Sequence, residues 1–479
     1  MPLSFCSLFI VVILTCFFTT TAYFTTVHAA YTKAVPSSGG PKINDSNLKV
    51  DIVFKSLDRP TSMAFLGPND ILVLEKNEGT VQRIVDGKMS SKPLLQVKVG
   101  AQVEWGMLGI AVVAPKNESS SSPTFVFLRY TATNDDGSMR NLLYRYELVD
   151  DDDNNNKLVN PKLLLDLPAI SPDPKGENNH DGGKVLIGPD NNVYTSIGDV
   201  GGHEGQAQNV KDGDPLDGTS SILRINQDGQ PLVDNPLVGV EKGGGEENGK
   251  NNPEGQQQQQ QQQQPMSDYY YAYGVRNSFG MDFDPVTGKL WDTENGPSYG
   301  DEINIVDPGF NSGWIKVMGL SKSGSNGGNG GGDSNNSNDD NNNNNNDATD
   351  SSSSSSSSSP PHGLVTFNGK GVYRDPEFVW KQPIGPTALK FLNSDKLGTE
   401  YQNTIFVGDV DTGNLYNFKL NEDRTSLLLD NNGPLADKVA DTPDETGKLS
   451  VGFRCHYISP YALITALIGE FSRIAPGIP

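Results

Sequence analysis

The stretch "GGKVLIGPDNNVYTSIGD", Gly182 to Asp199, decides the fold prediction. A glycine pair precedes a short apolar run, then a Gly-Pro-Asp-Asn-Asn segment, then a second apolar run that ends in an acidic residue. Short runs of β-branched and aromatic residues on both sides of such turn residues are typical of a β-hairpin. The stretch therefore predicts two antiparallel strands joined by a tight turn.

Four similar units recur along the chain, and they begin at Arg59, Glu104, Asn277 and Gly385. Most are followed by another short strand pattern, such as "VQRIVDG" after the first or "SSILRINQDG" after the third. Repeated units of three or four short strands indicate the blades of a propeller, in which radial repetition protects the sheet edges. We therefore predict an all-β propeller over residues 48–452, with a β-sandwich as the alternative.

The composition indicates the class of fold and argues against one class of partner. The 479 residues include 52 glycines and 31 prolines, which favour many turns over long helices. The formal net charge of -22 argues against a nucleic-acid partner, because that affinity comes mainly from clustered Lys and Arg. Two low-complexity tracts, at 240–266 and 321–362, cannot bury a core and are predicted to be insertions in the propeller.

The N-terminus carries an apolar segment from Leu3 to Phe18, and small residues follow in "VHAA". This pattern predicts a signal peptide or an N-terminal membrane anchor over residues 1–29, followed by a linker over 30–47. We expect an extracytoplasmic protein, secreted or anchored on the outer face of the membrane. Cys6 and Cys16 lie in this segment, so Cys455 has no partner within a cleaved chain.

The C-terminal residues 453–479 break the pattern. From Arg454 the chain has neither the turn residues nor the alternating strand pair that a further unit requires. A change of reading frame near Phe453 and a divergent tail both explain this segment. In either case we expect an incomplete last blade and exposed sheet edges.

His180 lies in a polar loop just before the first strand of the third unit. In a propeller this position points towards the central channel at one end, where sites are commonly built. Histidine titrates near neutral pH and suits general-base catalysis. An incidental loop histidine is the alternative.

Arg276 and Asn277, in "YGVRNSFGMDF", occupy the same point of the fourth unit, so the propeller would bring them near His180. An arginine there can hold an anion or a developing oxyanion. The alternative role is structural, through hydrogen bonds from the guanidinium to loop carbonyls.

The segment "ENGPSYGDEINIV" offers oxygen atoms close together in sequence. The carbonyls of Gly296 and Pro297 lie in a tight turn, and Asp301 and Glu302 follow. Carbonyl and carboxylate oxygens are the ligands that calcium prefers. The alternative is a turn with an exposed acidic pair.

Together these motifs resemble the soluble glucose/sorbosone dehydrogenase family, six-bladed propellers that oxidise aldoses with pyrroloquinoline quinone (PQQ). The segments "NHDGGKVLIGPDNNVYTSIGD", "YGVRNSFGMDF" and "ENGPSYGDEINIVDPGFNSGW" occur in the family's order across most of residues 48–452. The resemblance implies a six-bladed propeller, with the sixth blade incomplete or scrambled at the C-terminus of this chain.

The resemblance also implies roles for individual residues. His180 would be the base that takes the proton from the C1 hydroxyl of the sugar while hydride passes to PQQ. Arg276 would act in catalysis and, with Asn277, lie near the quinone oxygens, and Glu104 would face sugar and cofactor. The implied calcium ligands are the carbonyls of Gly296 and Pro297 at the cofactor, and Asp301, Glu302 and the Ser312 carbonyl at a second, structural ion.

The function implied is that of an exported quinoprotein that oxidises aldoses to lactones and passes electrons to an unknown acceptor. One position departs from the family: Asp411 stands where a lysine helps to hold the carboxylates of PQQ. A calcium-dependent propeller hydrolase, such as a lactonase, and a non-catalytic propeller that binds sugars or proteins are the alternatives.

Overall fold

The structure is a computed structural model that describes residues 42–50, 53–115, 122–150, 156–171, 178–240, 264–321, 361, 363–411, 413–429, 438–442, 446, 448–451 and 474–476. All of them lie within one unit, Pro41–Pro479. The predicted leader at 1–29, much of the linker, most of both low-complexity insertions and most of the 453–479 tail lie outside the described residues. The predictions made for those segments stay predictions.

The described residues form strands and two short 3-10 turns, Gln206–Gln208 and Met266–Tyr269, and they contain no α-helix. No helix in this part of the chain is long and apolar enough to span a bilayer. The strands, in chain order, are β1 Lys42–Ile43, β2 Leu48–Val50, β3 Pro60–Gly67, β4 Asp70–Glu75, β5 Thr80–Val85, β6 Lys88–Met89, β7 Leu95–Gln96, β8 Met107–Val113, β9 Thr124–Thr133, β10 Met139–Val149, β11 Lys157–Pro168, β12 Val185–Ile187, β13 Val193–Ile197, β14 Ser221–Ile225, β15 Tyr270–Tyr273, β16 Ser278–Phe283, β17 Leu290–Glu294, β18 Asp301–Val306, β19 Phe310–Asn311, β20 Val372–Tyr373, β21 Phe378–Trp380, β22 Pro386–Phe391, β23 Ile405–Asp409, β24 Leu415–Phe418, β25 Val439–Ala440, β26 Lys448–Val451 and β27 Ile474–Pro476. The all-β prediction is confirmed.

Each of the five repeated units folds as the predicted antiparallel hairpin, and its third strand follows in sequence. The five hairpins are β3–β4, β8–β9, β12–β13, β16–β17 and β22–β23, and the third strands are β5, β10, β14, β18 and β24. Outer strands widen each unit to a sheet of four or more strands, and a separate two-stranded sheet pairs β2 with β27. The described residues thus contain five such sheets, and a closed ring of six blades remains a prediction.

The turn in the third unit shows why its sequence forms a hairpin. The Gly188 N–H donates to the Asn192 carbonyl, and the Asn191 N–H donates back to Gly188, each at 2.8 Å. Asn191 has a φ of 61°, in the left-handed region that asparagine tolerates better than most residues. The Asp190 carboxylate accepts from the Asn192 N–H and fixes the turn further.

Apolar side chains between neighbouring sheets form the core. One cluster joins the second and third sheets and includes Phe127, Val185 and Leu223, all buried. Another joins the fourth and fifth sheets around Trp291 and Trp380, both fully buried. Burial of an apolar side chain of this size contributes roughly 1.5–3 kcal/mol, so these contacts hold the sheets face to face.

The first strands of neighbouring sheets lie side by side. β3 packs near β8, β8 near β12, and β16 near β22. The loops that precede these strands, and the loops that join second to third strands, meet at the same end of the sheets because the strands are antiparallel. Every candidate site residue belongs to a loop or strand terminus at this end.

Candidate functional site

His180 is held by a buried carboxylate. Its Nδ1 lies 2.5 Å from Asp199 Oδ1, and the two side chains are 13% and 1% exposed. With Nδ1 engaged by Asp199, the Nε2 atom is left for a ligand. Asp199 follows the second strand of the same hairpin, so the fold of one unit is enough to create this pair.

Asp199 also connects His180 to the loop that follows the fourth unit. Its Oδ2 accepts a hydrogen bond of 2.8 Å from Trp314 Nε1. Burial opposes ionisation of Asp199, but the contacts with His180, Trp314 and Arg276 outweigh it and lower the pKa of Asp199. Asp199 is therefore a fixed anion that orients the imidazole.

Gly198 allows two loops of the site to approach each other. A Cβ atom at this position would overlap the carbonyl oxygens of both His180 and Arg276. The Asp199 N–H donates to that same Arg276 carbonyl at 2.9 Å. The backbone segments that carry His180 and Arg276 thus meet at a point where only glycine fits.

Arg276 lies across the Gly296 turn. Its Nη1 donates to the carbonyls of Asn295 at 2.8 Å and Gly296 at 3.0 Å. The guanidinium lies 5.4 Å from the centre of the Trp314 ring, within the range of a cation–π contact. The structural role considered from sequence, an arginine bonded to loop carbonyls, is therefore present, and it puts the cation next to His180's partner Asp199.

Glu104 links the second sheet to both other loops. Its Oε1 accepts from Asn277 Nδ2 at 3.1 Å, and its Oε2 accepts from the Asp181 N–H at 2.9 Å. The structure therefore brings together Glu104, His180, Arg276 and Asn277, which the sequence separates by as many as 173 positions.

Asp301 anchors two loops through backbone donors. Its Oδ1 accepts from the Gly296 N–H at 2.8 Å, and its Oδ2 accepts from the N–H groups of Ile384 and Gly385 at 2.7 and 2.9 Å. Burial raises the pKa of Asp301 and those three hydrogen bonds oppose the rise. Asp301 is buried, so it is not part of an exposed acidic pair.

Glu302 points to the opposite face of the strand, because consecutive strand residues alternate. It faces Glu294, its cross-strand partner. Burial, and then the charge of Glu294, raise the pKa of Glu302 well above its usual value. Glu294 in turn accepts from Ser312 Oγ at 2.6 Å, so Glu302 and Ser312 flank one buried carboxylate while Asp301 lies elsewhere.

The residues proposed as calcium ligands therefore do not all lie at one place. Gly296 is buried and lies under Arg276, Pro297 is exposed in the next position, and Glu302 lies with Ser312 around Glu294. Among the described residues no three His, Cys, Asp or Glu side chains converge in a geometry that could hold a metal ion. A calcium ion here would need carbonyl, hydroxyl or water oxygens to complete its ligands.

The comparisons with known proteins identify the family of the chain. A model of the family described as glucose/sorbosone dehydrogenase matches residues 57–373. This chain belongs to the glucose/sorbosone dehydrogenase family. Membership indicates a sugar dehydrogenase, with a small-molecule sugar as substrate.

Curated members of the family resemble the chain over much of its length. The aldose sugar dehydrogenase YliI of Escherichia coli is 24% identical over 437 residues, which cover 90% of this chain and 94% of the relative. The quinoprotein glucose dehydrogenase B of Acinetobacter calcoaceticus is 26% identical over 295 residues, 58% of this chain and 54% of the relative.

Solved structures of glucose/sorbosone dehydrogenase relatives share the fold. A putative glucose dehydrogenase from Thermus thermophilus is 23% identical, with a TM-score of 0.53 over 80% of this chain and 86% of that one. The PQQ-bound aldose sugar dehydrogenase of Streptomyces coelicolor is 20% identical, with a TM-score of 0.51 over 83% and 85% of the two chains. At these identities the likeness concerns the fold.

The polar atoms around Arg276 fit the cofactor that the glucose/sorbosone dehydrogenase family implies. Three of them, Arg276 Nε, Asn277 Oδ1 and Asn295 Oδ1, are buried and have no hydrogen-bond partner among the described residues. Buried polar atoms are nearly always hydrogen-bonded in folded proteins, so these atoms indicate room for a polar ligand or for ordered water. The Arg276 donor suits an anionic quinone with several oxygens, whereas the two amide oxygens need a ligand or water that donates a hydrogen bond to them.

Asp411 lies close enough to Asp301 for their charges to interact. Its backbone N–H donates to the Ile384 carbonyl at 3.2 Å, and the Asp411 charge adds to the rise in the pKa of Asp301. An aspartate here brings negative charge to the side of the Gly296 turn, where the resemblance predicts a lysine. This departure would weaken electrostatic attraction for an anionic cofactor.

Several site residues were missed at the sequence level. Asp199 ends the repeated unit and was treated only as a strand terminus, although its acidic type at that position was the available signal. Trp314 lies in "FNSGW" and gave no signal of a contact with Asp199. Glu294 lies in a strand whose five residues are all buried, and only pairing with β18 brings it against Glu302.

A separate cavity of about 620 Å³ lies at the outer strands of the third and fourth sheets. Its lining includes Tyr373, Arg374, Glu377 and Lys438. Arg374 and Lys438 both bind the Glu377 carboxylate, so their charges are already paired. None of the glucose/sorbosone dehydrogenase site residues lines this cavity.

Proposed function

We propose that the protein is a PQQ- and calcium-dependent aldose dehydrogenase that oxidises the C1 hydroxyl of an aldose to the lactone. The observation that carries the proposal is the His180–Asp199 pair, which lies at the same end of the sheets as Arg276 and Asn277. Family membership supports the reaction class, and the quinoprotein and PQQ-bound relatives support the cofactor.

His180 would act as the general base. Its Nε2 would take the proton from the C1 hydroxyl, and Asp199, bonded to Nδ1, would stabilise the imidazolium that forms. Loss of that proton makes the C1 hydrogen a far better hydride donor. The C1–H bond then breaks, hydride leaves, and the C1–O bond becomes the carbonyl of the lactone.

Arg276 and Asn277 would hold the cofactor. Bound PQQ supplies the electron sink, a quinone that accepts hydride. The Arg276 guanidinium is already fixed by two carbonyls and the Trp314 ring, so it is preorganised to stabilise negative charge that develops on the ligand. Asn277 is 2% exposed, and Glu104 holds its amide group in position.

Calcium would bind at two places. The Gly296 carbonyl has a second lone pair beyond its bond to Arg276, and with the Pro297 carbonyl it can take a calcium ion beside the cofactor. A second ion would neutralise the buried carboxylates of Glu294 and Glu302 with help from Ser312. Asp301 serves as a loop anchor in this proposal rather than as a ligand of that ion.

We propose in addition that the protein is exported. The apolar segment from Leu3 to Phe18 supports this, either as a cleaved signal or as an anchor on the outer face of the membrane. The electron acceptor would then be an extracytoplasmic component.

The decisive experiment is an assay of dye reduction by a panel of aldoses, with the protein reconstituted in PQQ, in calcium, in both, and in neither. We expect activity only with both. In the His180→Ala variant kcat should fall by about a hundredfold or more, the usual contribution of a general base. The matched control is His203→Gln, which changes a buried histidine whose Nε2 lies 3.0 Å from Asp217 Oδ2 and should keep most of the turnover.

The same assay separates the alternatives. A lactonase would open lactones in calcium without PQQ and would reduce no dye. A binding module would do neither, although sugars would still raise its melting temperature. Full dye reduction by His180→Ala would contradict the assignment of the base.

A further inference from the structure

The guanidinium of Arg129 is buried and forms no hydrogen bond within the part of the chain that the structure describes. The residue lies on β9 of the second sheet with 0% exposure, and Nε, Nη1 and Nη2 all lack a partner among the described residues. A guanidinium carries five N–H donors, and buried donors are nearly always satisfied. The surrounding side chains that the structure describes do not satisfy the donors of Arg129, so these donors require ordered water or a bound group.

The charge of Asp181, the residue directly after His180, acts on Arg129: burial lowers the pKa of Arg129, and Asp181 opposes that shift. Asp181 is also 0% exposed, and its Oδ1 accepts from Asn141 Nδ2 at 2.6 Å. Its Oδ2 has no partner among the described residues. A cation with free donors and an anion with a free acceptor thus lie in the same buried region, and no direct ion pair joins them.

Hydrogen bonds connect this region to the candidate site. Thr131, two residues from Arg129 on the same strand face, donates to Asn141, which donates to Asp181. The Asp181 N–H donates to Glu104, whose other oxygen holds Asn277. The loop that carries His180 is therefore attached at Asp181 to both the second and the fourth sheets.

We propose that Arg129 is a positioning residue: through buried water it bridges to Asp181 Oδ2, and so keeps charged the carboxylate that anchors the His180 loop. Buried water that links otherwise unsatisfied polar groups is a regular part of protein interiors. The role rests on the proposed function, because it acts on the proposed base. It adds to that function a residue that touches neither sugar nor cofactor.

The charges around Asp181 determine whether the stability of the protein rises or falls with pH. Burial, and then the charge of Glu104, raise the pKa of Asp181 to about 7, while Asn141, Arg129 and His180 oppose the rise. Lys76, which also interacts with Asp181, has its pKa lowered to about 8 by burial. A carboxyl group with a raised pKa in the folded state destabilises the protein increasingly as pH rises from about 4 to above 7.

The test is a thermal double-mutant cycle on Arg129→Met, Asp181→Asn and the double variant, at pH 5 and pH 8.5. In wild type, Asp181 is charged at pH 8.5 and depends on Arg129, so Arg129→Met should lower Tm by several degrees there and by much less at pH 5. The double variant should regain most of that loss. Asp181→Asn alone should flatten the fall in Tm between the two pH values, which keeps the test valid if Arg129→Met does not fold.

Activity separates positioning from bulk stability. Because the charged Asp181 carboxylate anchors the His180 loop, we expect kcat to rise with pH as Asp181 ionises. In Arg129→Met, Asp181 should stay protonated to higher pH, so this rise in kcat should move up by about one pH unit with little change in KM. Arg129→Lys retains the charge and should restore the wild-type profile. The proposed interaction between Arg129 and Asp181 would be overturned if Arg129→Met lowered Tm equally at both pH values and the effects of Arg129→Met and Asp181→Asn were additive.

A coupled thermal cycle with an unchanged kcat profile would overturn the positioning role and leave only a structural one. Wild-type protein that oxidises no sugar would contradict the proposed function instead. The thermal cycle, which needs no turnover, would still decide whether Arg129 and Asp181 act together.

Discussion

At the scale of single residues, the site depends on which nitrogen of His180 is free. Asp199 Oδ1 fixes Nδ1, and Trp314 fixes Asp199 Oδ2, so one carboxylate determines both the orientation and the tautomer of the base. In Asp199→Asn the amide keeps the shape but cannot stabilise an imidazolium. We expect kcat to fall by about a hundredfold while KM for the sugar changes little.

Steady-state kinetics with dye as acceptor check this expectation. The matched control is Asp190→Asn, an aspartate in the β12–β13 turn at the other end of the same hairpin, which should lose some stability and keep its turnover. Equal losses of kcat in the two variants would contradict a special role for Asp199.

At the scale of elements, the site exists because loops from different sheets approach closely. Gly198 follows the second hairpin strand and lies against the carbonyls of His180 and Arg276. In Gly198→Ala the methyl group must push these loops apart, at a cost of about 1–3 kcal/mol for overpacking. Because displacement of about 1 Å can cost a hundredfold in rate, we expect kcat to fall far more than stability alone explains.

Melting temperature and kcat measured together test this claim. Gly67→Ala is the control, since a Cβ at Gly67 meets no atom within 4 Å and the variant should behave as wild type. A Gly198→Ala variant with wild-type kcat would show that the two loops tolerate separation.

At the scale of the whole molecule, ion pairs connect sheets that the chain joins only through loops. Arg424, which follows β24 of the fifth sheet, donates from Nε and Nη2 to the buried Asp284 in the β16–β17 turn, each at 2.7 Å. Removal of the cation would leave that carboxylate buried and unpaired. We expect Arg424→Ala to lower the free energy of unfolding by about 2 kcal/mol, discounted because Arg424 is partly exposed.

The pH dependence of the difference in unfolding free energy between Arg424→Ala and wild type shows whether the ion pair with Asp284 causes it. Burial favours the neutral form of Asp284, but the hydrogen bonds from Arg424 and Thr287 outweigh it and lower the pKa of Asp284. The contribution is therefore present above the unfolded value of about 4 and is lost as pH falls from there through the lower pKa of the folded state. Denaturant unfolding at pH 7 and pH 3.5 measures this change.

The control for Arg424→Ala is Lys381→Ala, which breaks an ion pair with Asp441 in which both side chains are more than 60% exposed. Exposed pairs of this kind contribute about 0–1 kcal/mol, so the variant should differ little from wild type. If the difference in unfolding free energy between Arg424→Ala and wild type stayed constant with pH, this would argue against a contribution from the ion pair.

The sequence by itself determined the local structure of this protein. Alternation of apolar residues around Gly, Pro, Asn and Asp predicted five hairpins with their third strands, because strand period and turn chemistry depend on neighbours in the chain. It also indicated His180, Arg276 and Asn277, since each precedes a first strand and repetition brings such positions to one end, while Glu104 was indicated only by the resemblance to the family.

Only the tertiary structure decided how these residues are connected. That Asp199 orients His180, that Asp301 anchors loops while Glu302 faces Glu294, and that Arg129 lies buried near Asp181 follow from pairings between strands and between sheets. Such pairings depend on the closeness of atoms far apart in sequence. A carboxylate that accepts backbone N–H groups has the same letter in the sequence as one that repels a buried neighbour, and only its surroundings make the difference.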